Sequence, residues 1–393
     1  MQTTIAFLYS RPLHIGGVES HLLSLLRYSD KSRYDWLVIA PASQEFAECA
    51  SDLGAQIISW SPQHILDVVA LAHLVRLLRS HRVDLLHIHE PRAAIFGRVV
   101  AYLLQLPVVV TVHLPSYYFA SGTGVRARLR RRFDYWIERI LNWGFTNQLI
   151  YVSSRVCQEA LDWGLAPRER AIVIQNGVDL ALYAGDNQRL VVRRSLGTPF
   201  ETVVICCVAR LDRQKGIDVL LDALGQLRMR QNSFRLWLLG DGALETKLHE
   251  QVRRLGLETN VQFLGYRSDV PRLLQASDIF VLPSRYEAMP ISLIEAMAAG
   301  LPSVVTNVGE NSHMVEHGAT GLVVPPEDSK ALAEALQQLL DDSKQSQSMG
   351  RLARAKATNY SVEQMVKRTE ATYTQVLDRA RGRKHSRCSI LLS

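Results

Sequence analysis

The stretch "VARLDRQKGIDVLL" sets Arg210 at the end of an apolar run and Lys215 five positions on, where a helical pattern begins. Two cations at the carboxyl edge of a parallel sheet neutralise a diphosphate, and a Lys-Gly junction opening a helix suits phosphate contact. Further on, "PSRYEAMPISLIEAMAAGLP" carries Glu287 and Glu295 on either side of Pro290. Proline is tolerated at the first helical position, so the spacing predicts Pro290 at N1, Glu287 in the preceding loop and Glu295 in the second turn. Met289 and Pro290 then form the junction, and the unpaired N–H groups of Ile291 and Ser292 are ready for phosphate oxygens. Residues 291, 293, 294, 296 and 297 are apolar. A carboxylate among them needs polar partners, and ligand hydroxyls can serve. The competing reading makes Glu295 a surface residue and Glu287 an acid favoured near a helix start.

Other candidates are weaker individually. In "LYSRPLHIGGVESHLLSLL", Gly16 and Gly17 open a helix, where backbone N–H groups can approach an anion; a tight turn needing positive φ explains them equally well. The spacing is not that of the dinucleotide-binding G-x-G-x-x-G. "PVVVTVHLP" delivers His113 to a strand end, where a lone histidine is more often structural than catalytic. "VQFLGYRSDV" ends a strand in Tyr266 and Arg267, whose ring and guanidinium planes can stack on a base. No D-x-D is present, and the cysteines at 49, 157, 206, 207 and 388 have no zinc-type spacing, so no metal site is expected.

These residues must be held by two series of elements. "TTIAFLY", "YDWLVIAP", "AQIISW", "VDLLHIH", "PVVVTVH" and "QLIYVSS" read as strands separated by helices, the last helix starting near residue 125. A second series begins near residue 202 with "TVVICCVARL", "FRLWLLGDG", "VQFLGY", "IFVLPS", "PSVVTN" and "GLVVPP". Alternation of apolar strands with helices implies parallel sheets covered on both faces, hence two Rossmann-like, doubly wound α/β domains facing a cleft. "VIQNGVDLALYAGDNQRLVVRRSLGTPF" is rich in turn residues and places the boundary between 180 and 190.

A chain of 393 residues fits two domains, and 47 % hydrophobic with 21 % charged residues describes a globular protein. The N-terminus lacks a signal-peptide pattern, and the apolar run "VVAYLLQLPVVVTV", residues 99–112, is short of the ~20 residues of a spanning helix and is broken by Pro107. The expected location is the cytoplasm, including its membrane surface. The net charge of +7 is concentrated in "VRARLRRRF" and in the last sixteen residues. In "VRARLRRRFDYWIERILNWGF", apolar residues follow helical spacing opposite arginines. Two readings stand: a domain helix whose apolar face packs on the sheet, which is favoured, and an interfacial helix on an anionic membrane. No nucleic-acid motif accompanies the arginines, so no nucleic-acid partner is expected.

Taken in order, Gly16-Gly17, His113, "ARLDRQKGID", "LLGDG", "FLGY" and "PSRYEAMPISLIEAMAAGLPSVVTNVG" resemble the retaining family 4 (group 1) glycosyltransferases, whose architecture is called GT-B. The resemblance covers nearly the whole chain and is densest over 203–335. It implies a nucleoside-diphosphate sugar, UDP- or GDP-linked, as donor substrate, no resident cofactor, and a glycan or lipid-linked acceptor in polysaccharide or glycolipid assembly. On that basis Arg210 and Lys215 hold the diphosphate, the loop at Tyr266 and Arg267 receives the base, and Glu295 binds the ribose hydroxyls. Glu287 contacts the donor sugar, His113 approaches it from the first domain, and Gly16-Gly17 lies near the diphosphate. The expected domains are 1–183 on the acceptor side and 184–360 on the donor side, with a helix over 361–380 crossing back and a basic tail over 381–393. Ala288, Asn307, Glu310 and His313 depart from the family pattern, and these changes bear on donor choice. Two rivals share the fold or the site: a two-domain sugar-nucleotide epimerase and a non-catalytic glycan- or nucleotide-binding protein.

Overall fold

The computed structural model describes residues 2–13, 16–64, 66–114, 124–184, 188–228 and 234–391, with the side chains of all of these except 126–127, 228 and 383–391. The chain divides into two compact units, one made of Met1–Asn176 with Val362–Ser393 and the other of Gly177–Ser361.

In the first unit, β1 (Thr3–Leu8), α1 (Gly17–Tyr28), β2 (Tyr34–Ile39), α2 (Gln44–Asp52), β3 (Gln56–Ile58), α3 (Val68–Ser80), β4 (Leu85–Ile88), α4 (Pro91–Leu104), β5 (Val108–Val112), α5 (Val125–Gly144), β6 (Gln148–Tyr151), α6 (Ser154–Asp162) and β7 (Ala171–Val173) alternate along the chain. Among the described residues the strands form one sheet in the order β3-β2-β1-β4-β5-β6-β7, each pair parallel. β1, β4 and β5 are continuous apolar runs because helices cover both faces of a parallel sheet. Phe7, Trp36, Val38 and Leu85 lie in the buried core.

The second unit runs through α7 (Arg189–Ser195), β8 (Val203–Val208), α8 (Ile217–Arg228), β9 (Phe234–Leu239), α9 (Glu245–Leu255), β10 (Val261–Gly265), α10 (Val270–Gln275), β11 (Ile279–Leu282), α11 (Ile291–Ala298), β12 (Ser303–Thr306), α12 (Asn311–Met314), β13 (Gly321–Val324), α13 (Ser329–Asp341) and α14 (Ser343–Ala357). Its sheet has the order β10-β9-β8-β11-β12-β13. Asp278 ties α7 to this sheet by accepting from Arg189, from Arg193 and from the Val204 N–H.

In both sheets the order reverses beside the first strand of the unit, between β1 and β4 and between β8 and β11. Loops leaving the carboxyl ends of such strands diverge and leave a crevice where ligands of open α/β sheets bind. Both units are therefore doubly wound and Rossmann-like.

Three boundaries differ from the sequence reading. The expected break at 183/184 lies at 176/177, because the 3-10 turn Leu180–Tyr183 packs on α10 and α11 of the second unit. β7 adds a strand within what reads as the start of the linker; it is only three residues long, too short for a periodic signal. The last helix, α15 (Val362–Leu391), extends through most of the expected separate tail. α15 belongs to the first unit, where Val362, Met365, Val366, Tyr373 and Val376 are core residues. Burial of each such aliphatic side chain contributes roughly 1.5–3 kcal/mol. Tyr373 also places its hydroxyl 2.7 Å from Nδ1 of His87 on β4.

Candidate active site

The second unit gathers four of the predicted residues at the β8/β11 switch. After β8 the chain turns through a 3-10 turn, Arg213–Lys215, capped by the Asp212 side chain and closed by Gly216 at φ +64°. A Cβ on Gly216 would stand 2.2 Å from the Pro283 carbonyl oxygen, so only glycine lets this turn close onto the loop after β11. Lys215 Nζ then donates to Glu287 Oε1 at 2.5 Å, and Ser284 Oγ donates to the same oxygen at 2.7 Å. Lys215 is 14 % exposed and Glu287 6 %. A buried ion pair is strongly sensitive to loss of one partner, about 3–5 kcal/mol, because the other charge is left without compensation. Arg210, by contrast, is 64 % exposed and pairs with Asp212 at 3.0 Å, so its guanidinium remains open to solvent.

The two loops are stitched by groups of no obvious catalytic type. Arg285 binds both carboxylate oxygens of Asp218, donates to the Arg213 carbonyl and pairs with Glu327. The Arg285 N–H donates to Gln214 O, and Gln214 Nε2 donates to Tyr286 O. On the far side, Glu310 N–H donates to Ala288 O, and Gly309, at φ +52°, sits where a Cβ would be 2.2 Å from Glu287 O. Ala288 and Glu310, which depart from the family pattern, thus meet directly. Asn307 and His313 are exposed near them, with His313 Nδ1 3.5 Å from the Glu310 carboxylate.

α11 starts at Ile291, with Pro290 as its N-cap at φ −74° and ψ 124°, not at N1. Extended ψ is the comfortable state for a residue leaving a buried loop, and proline's fixed φ is compatible with it. No side chain caps this end. The N–H groups of the half-buried Ile291 and Ser292 therefore begin the helix without side-chain partners, while Met289 and Pro290 are buried. Glu295 lies in the second turn, half-buried and close to the Tyr183 hydroxyl. Burial pushes its carboxyl up to about 7, partly offset by the hydrogen bond from Tyr183. Tyr266, 41 % exposed, and Arg267 leave the end of β10. Arg267 is pinned by two 2.7 Å bonds to Asp269. No described hydrogen bond joins them to Lys215 or Glu287.

In the first unit, Gly16 is the N-cap of α1 with φ −151°, an extended conformation, and neither Gly16 nor Gly17 takes a positive φ. The tight-turn explanation for this pair is therefore removed. A Cβ on Gly17 would meet nothing within 4 Å, so packing does not demand glycine there. His113, at the end of β5, is half-buried with Nε2 3.1 Å from His89 Nδ1. His89 ends β4, and His21 comes from the second turn of α1, its ring centroid 4.9 Å from that of His113. His87 packs against His89, the ring centroids 4.0 Å apart and the planes tilted by 43°. Burial, followed by the neighbouring imidazoles, depresses His87, His89 and His113 well below the usual histidine range. Burial lowers His21 to about 4, with Asn176 opposing it. All four rings are neutral at pH 7. One ring nitrogen each from His21, His89 and His113 lie within 4.8 Å of one another.

The sequence reading missed Ser284, Arg285 and Tyr183 in the second unit and His21 and His89 in the first. Ser284 and Arg285 stand inside the "PSRYE" motif, so proximity to Glu287 was their available signal. H-x-H at a strand end pointed to His89. Nothing local marked Tyr183 or His21.

Two family models match the chain, "Glycosyltransferase Family 4" over residues 15–182 and "Glycosyl transferases group 1" over residues 189–356. The chain is 30 % identical over 284 residues to a UDP-Gal:alpha-D-GlcNAc-diphosphoundecaprenol alpha-1,3-galactosyltransferase of Escherichia coli, covering 71 % of this chain and 72 % of that one. It is likewise 30 % identical to a D-inositol 3-phosphate glycosyltransferase of Corynebacterium aurimucosum, over 75 % of this chain and 72 % of that one. The crystal structure of Anabaena Alr3699/HepE in complex with UDP-glucose superposes with a TM-score of 0.83 at 25 % identity, over 95 % of this chain and all of the other. Both halves are matched in order, and the protein belongs to the group 1, family 4 glycosyltransferases of the GT-B class.

Proposed function

We propose that the protein transfers a hexose from a UDP- or GDP-linked sugar to a glycan or lipid-linked acceptor, with retention at the anomeric carbon, in polysaccharide or glycolipid assembly. The observation that carries this reading is the Lys215–Glu287 pair at the β8/β11 switch, 2.5 Å apart and beside the uncapped start of α11. Oε1 of Glu287 is taken by Lys215 and Ser284, and Oε2 accepts from a donor-sugar hydroxyl. Arg210, open to solvent, folds onto the diphosphate together with Lys215, and the N–H groups of Ile291 and Ser292 face its oxygens. As the glycosidic bond breaks, charge accumulates on the departing nucleoside diphosphate. Cations and N–H dipoles already in place stabilise it without reorganisation, so the chain's own groups rather than a bound metal carry that charge. Glu295 accepts from the ribose, and Tyr266 and Arg267 flank the base. The nucleotide sugar in the name of the Escherichia coli relative and the UDP-glucose bound by the Anabaena protein support the donor class.

The acceptor side draws on α5. Val125, Leu129, Phe133, Trp136, Ile140 and Trp143 repeat at intervals of three and four, and all are at least 47 % exposed. Of the face that the sequence marks, Leu129, Phe133, Trp136 and Ile140 are exposed, Ile137 is half-buried and Leu141 is buried, so the favoured packing on the sheet holds only along its inner edge. Arg98 donates to Asn142 and Thr146, anchoring the helix through its polar inner edge. Among the described residues no helix is long and apolar enough to cross a membrane. An exposed apolar stripe flanked by Arg128, Arg130 and Arg132 suits an anionic membrane surface, where lipid-linked acceptors reside.

A thermal-shift screen of nucleotide sugars, followed by product analysis with the stabilising donor, tests the reading. Stabilisation by a UDP- or GDP-sugar, and an anomeric configuration in the product equal to that of the donor by proton NMR, are expected. Turnover without an acceptor would favour the epimerase instead, and binding without any turnover the non-catalytic protein.

A further inference from the structure

The four histidines of the first unit do not share one environment. His87 is fully satisfied, with Nδ1 2.7 Å from Tyr373 Oη and Nε2 2.7 Å from Thr111 Oγ1. His21 Nδ1 and His89 Nε2 are buried without a hydrogen-bond partner. Buried polar atoms in folded proteins are overwhelmingly paired; the Asn176 side chain stands beside His21, whereas nothing meets His89 Nε2, and the two rings lie 5.7 Å apart. The two residues bracket His113, which is shared between them by ring contacts of 4.9 Å to His21 and 5.4 Å to His89.

We propose that His21, His89 and His113 form a binding site for one divalent transition-metal ion of the zinc class, at the β1/β4 switch of the first unit. Three ring nitrogens, one from each residue, lie within 4.8 Å of one another. His89 Nδ1 and His113 Nε2, at 3.1 Å, already stand near the ~3.3 Å that separates two nitrogens on a tetrahedral ion with bonds of about 2.0–2.1 Å. In this arrangement His89 would bind through Nδ1, and a half-turn of its ring would bring the unpartnered Nε2 to that place instead. The ligands come from three elements of one sheet edge, the second turn of α1 and the ends of β4 and β5, so the fold fixes their separation before any ion arrives. His87 plays the supporting part: held at both nitrogens, it packs against His89 with ring centroids 4.0 Å apart and limits that ring's movement. Three imidazoles without a carboxylate or thiolate select zinc, copper, nickel or iron(II) over magnesium and calcium, which need oxygen ligands. A fourth position remains for water or an anionic oxygen. This site stands on the first unit's own geometry and does not depend on the donor assignment.

The test uses the full-length chain, stripped with a chelator and dialysed against Zn2+. Elemental mass spectrometry is expected to find about one ion per chain, and the melting temperature to rise by about 5–10 °C at a hundredfold excess over Kd. X-ray absorption at the zinc edge is expected to show a nitrogen shell near 2.0 Å with imidazole outer scattering; a sulfur shell near 2.3 Å would place the ion on cysteine and overturn the proposal. His21→Asn and His89→Asn should each weaken zinc binding by more than the ~10–100-fold that loss of an outer-shell partner costs. Cys49→Ser and His73→Asn, at exposed positions, should leave it unchanged. Failure of the wild type to retain zinc, or affinity unchanged from the wild type in both histidine variants, refutes the site. Where a histidine variant does not fold, the absorption spectrum of the wild-type protein decides alone.

Discussion

Replacing Glu295 by glutamine removes a carboxyl group that burial holds at a pKa of about 7. In the unfolded chain a glutamate titrates near 4.3, so the native state binds this proton more tightly than the unfolded state does. Protonation therefore stabilises the fold, fully below pH ~4, and the contribution is lost as pH rises through 7. From the two pKa values, roughly 2–3 kcal/mol disappears between pH 5 and pH 8. Near the melting temperature of a unit of this size that corresponds to roughly 5–10 °C. Glutamine keeps the shape and a hydrogen-bond partner for Tyr183 but does not titrate. Melting the full chain and Glu295→Gln side by side from pH 5 to pH 8 isolates the effect, because His21 and every other titrating group is common to both. The wild type should lose roughly 2–3 kcal/mol more than the variant across that range. Parallel profiles would show that Glu295 is solvated like a surface carboxyl, and would remove the physical reason for assigning it ligand hydroxyls.

Four further outcomes are expected. Because ribose hydroxyls favour the charged carboxylate, donor affinity measured by calorimetry should rise about tenfold from pH 6 to pH 8 in the wild type and stay flat in Glu295→Gln. Lys215→Ala should destabilise the second unit by about 3–5 kcal/mol in denaturant titrations and lower kcat at least ~100-fold. Pairing it with Glu287→Gln should recover most of the stability and none of the activity. Gly309→Ala, whose Cβ would stand 2.2 Å from Glu287 O at φ +52°, should cost about 2 kcal/mol or more and lower activity, read by melting and by initial rates. Neutralising Arg130, Arg131 and Arg132 with glutamine should reduce co-sedimentation with anionic vesicles and steepen its loss with salt, whereas Trp136→Ser should weaken it at every ionic strength.

Much of this protein was settled by residue pattern alone. Alternating apolar strands and helices specify parallel sheets because the hydrophobic period is local, and a doubly wound sheet has few alternatives once helices must cover both faces. The cations after β8 and the glutamates around α11 were legible for the same reason: each stands at a strand end or helix start that the local sequence marks. Pro290 showed the limit. Its presence separated Glu287 from Glu295, but whether it served as N-cap or N1 depended on the buried loop before it.

Long-range closure decided the rest. Lys215 meets Glu287 across 72 positions of chain only because Gly216 and Gly309 let three loops approach at the β8/β11 switch. Tyr183 joins Glu295 because the 3-10 turn before α7 packs with the second unit, which moved the domain boundary. The apolar stripe of α5 has the same helical period whether it faces a sheet or solvent, so only the packing of Leu141 and Asn142 showed which side was inward. Likewise His21, His89 and His113 are separated by 68 and 24 positions and share no motif. Periodicity determines which face of an element is apolar; what lies opposite that face is set by contacts between residues far apart in the chain, and those exist only once the sheets are assembled.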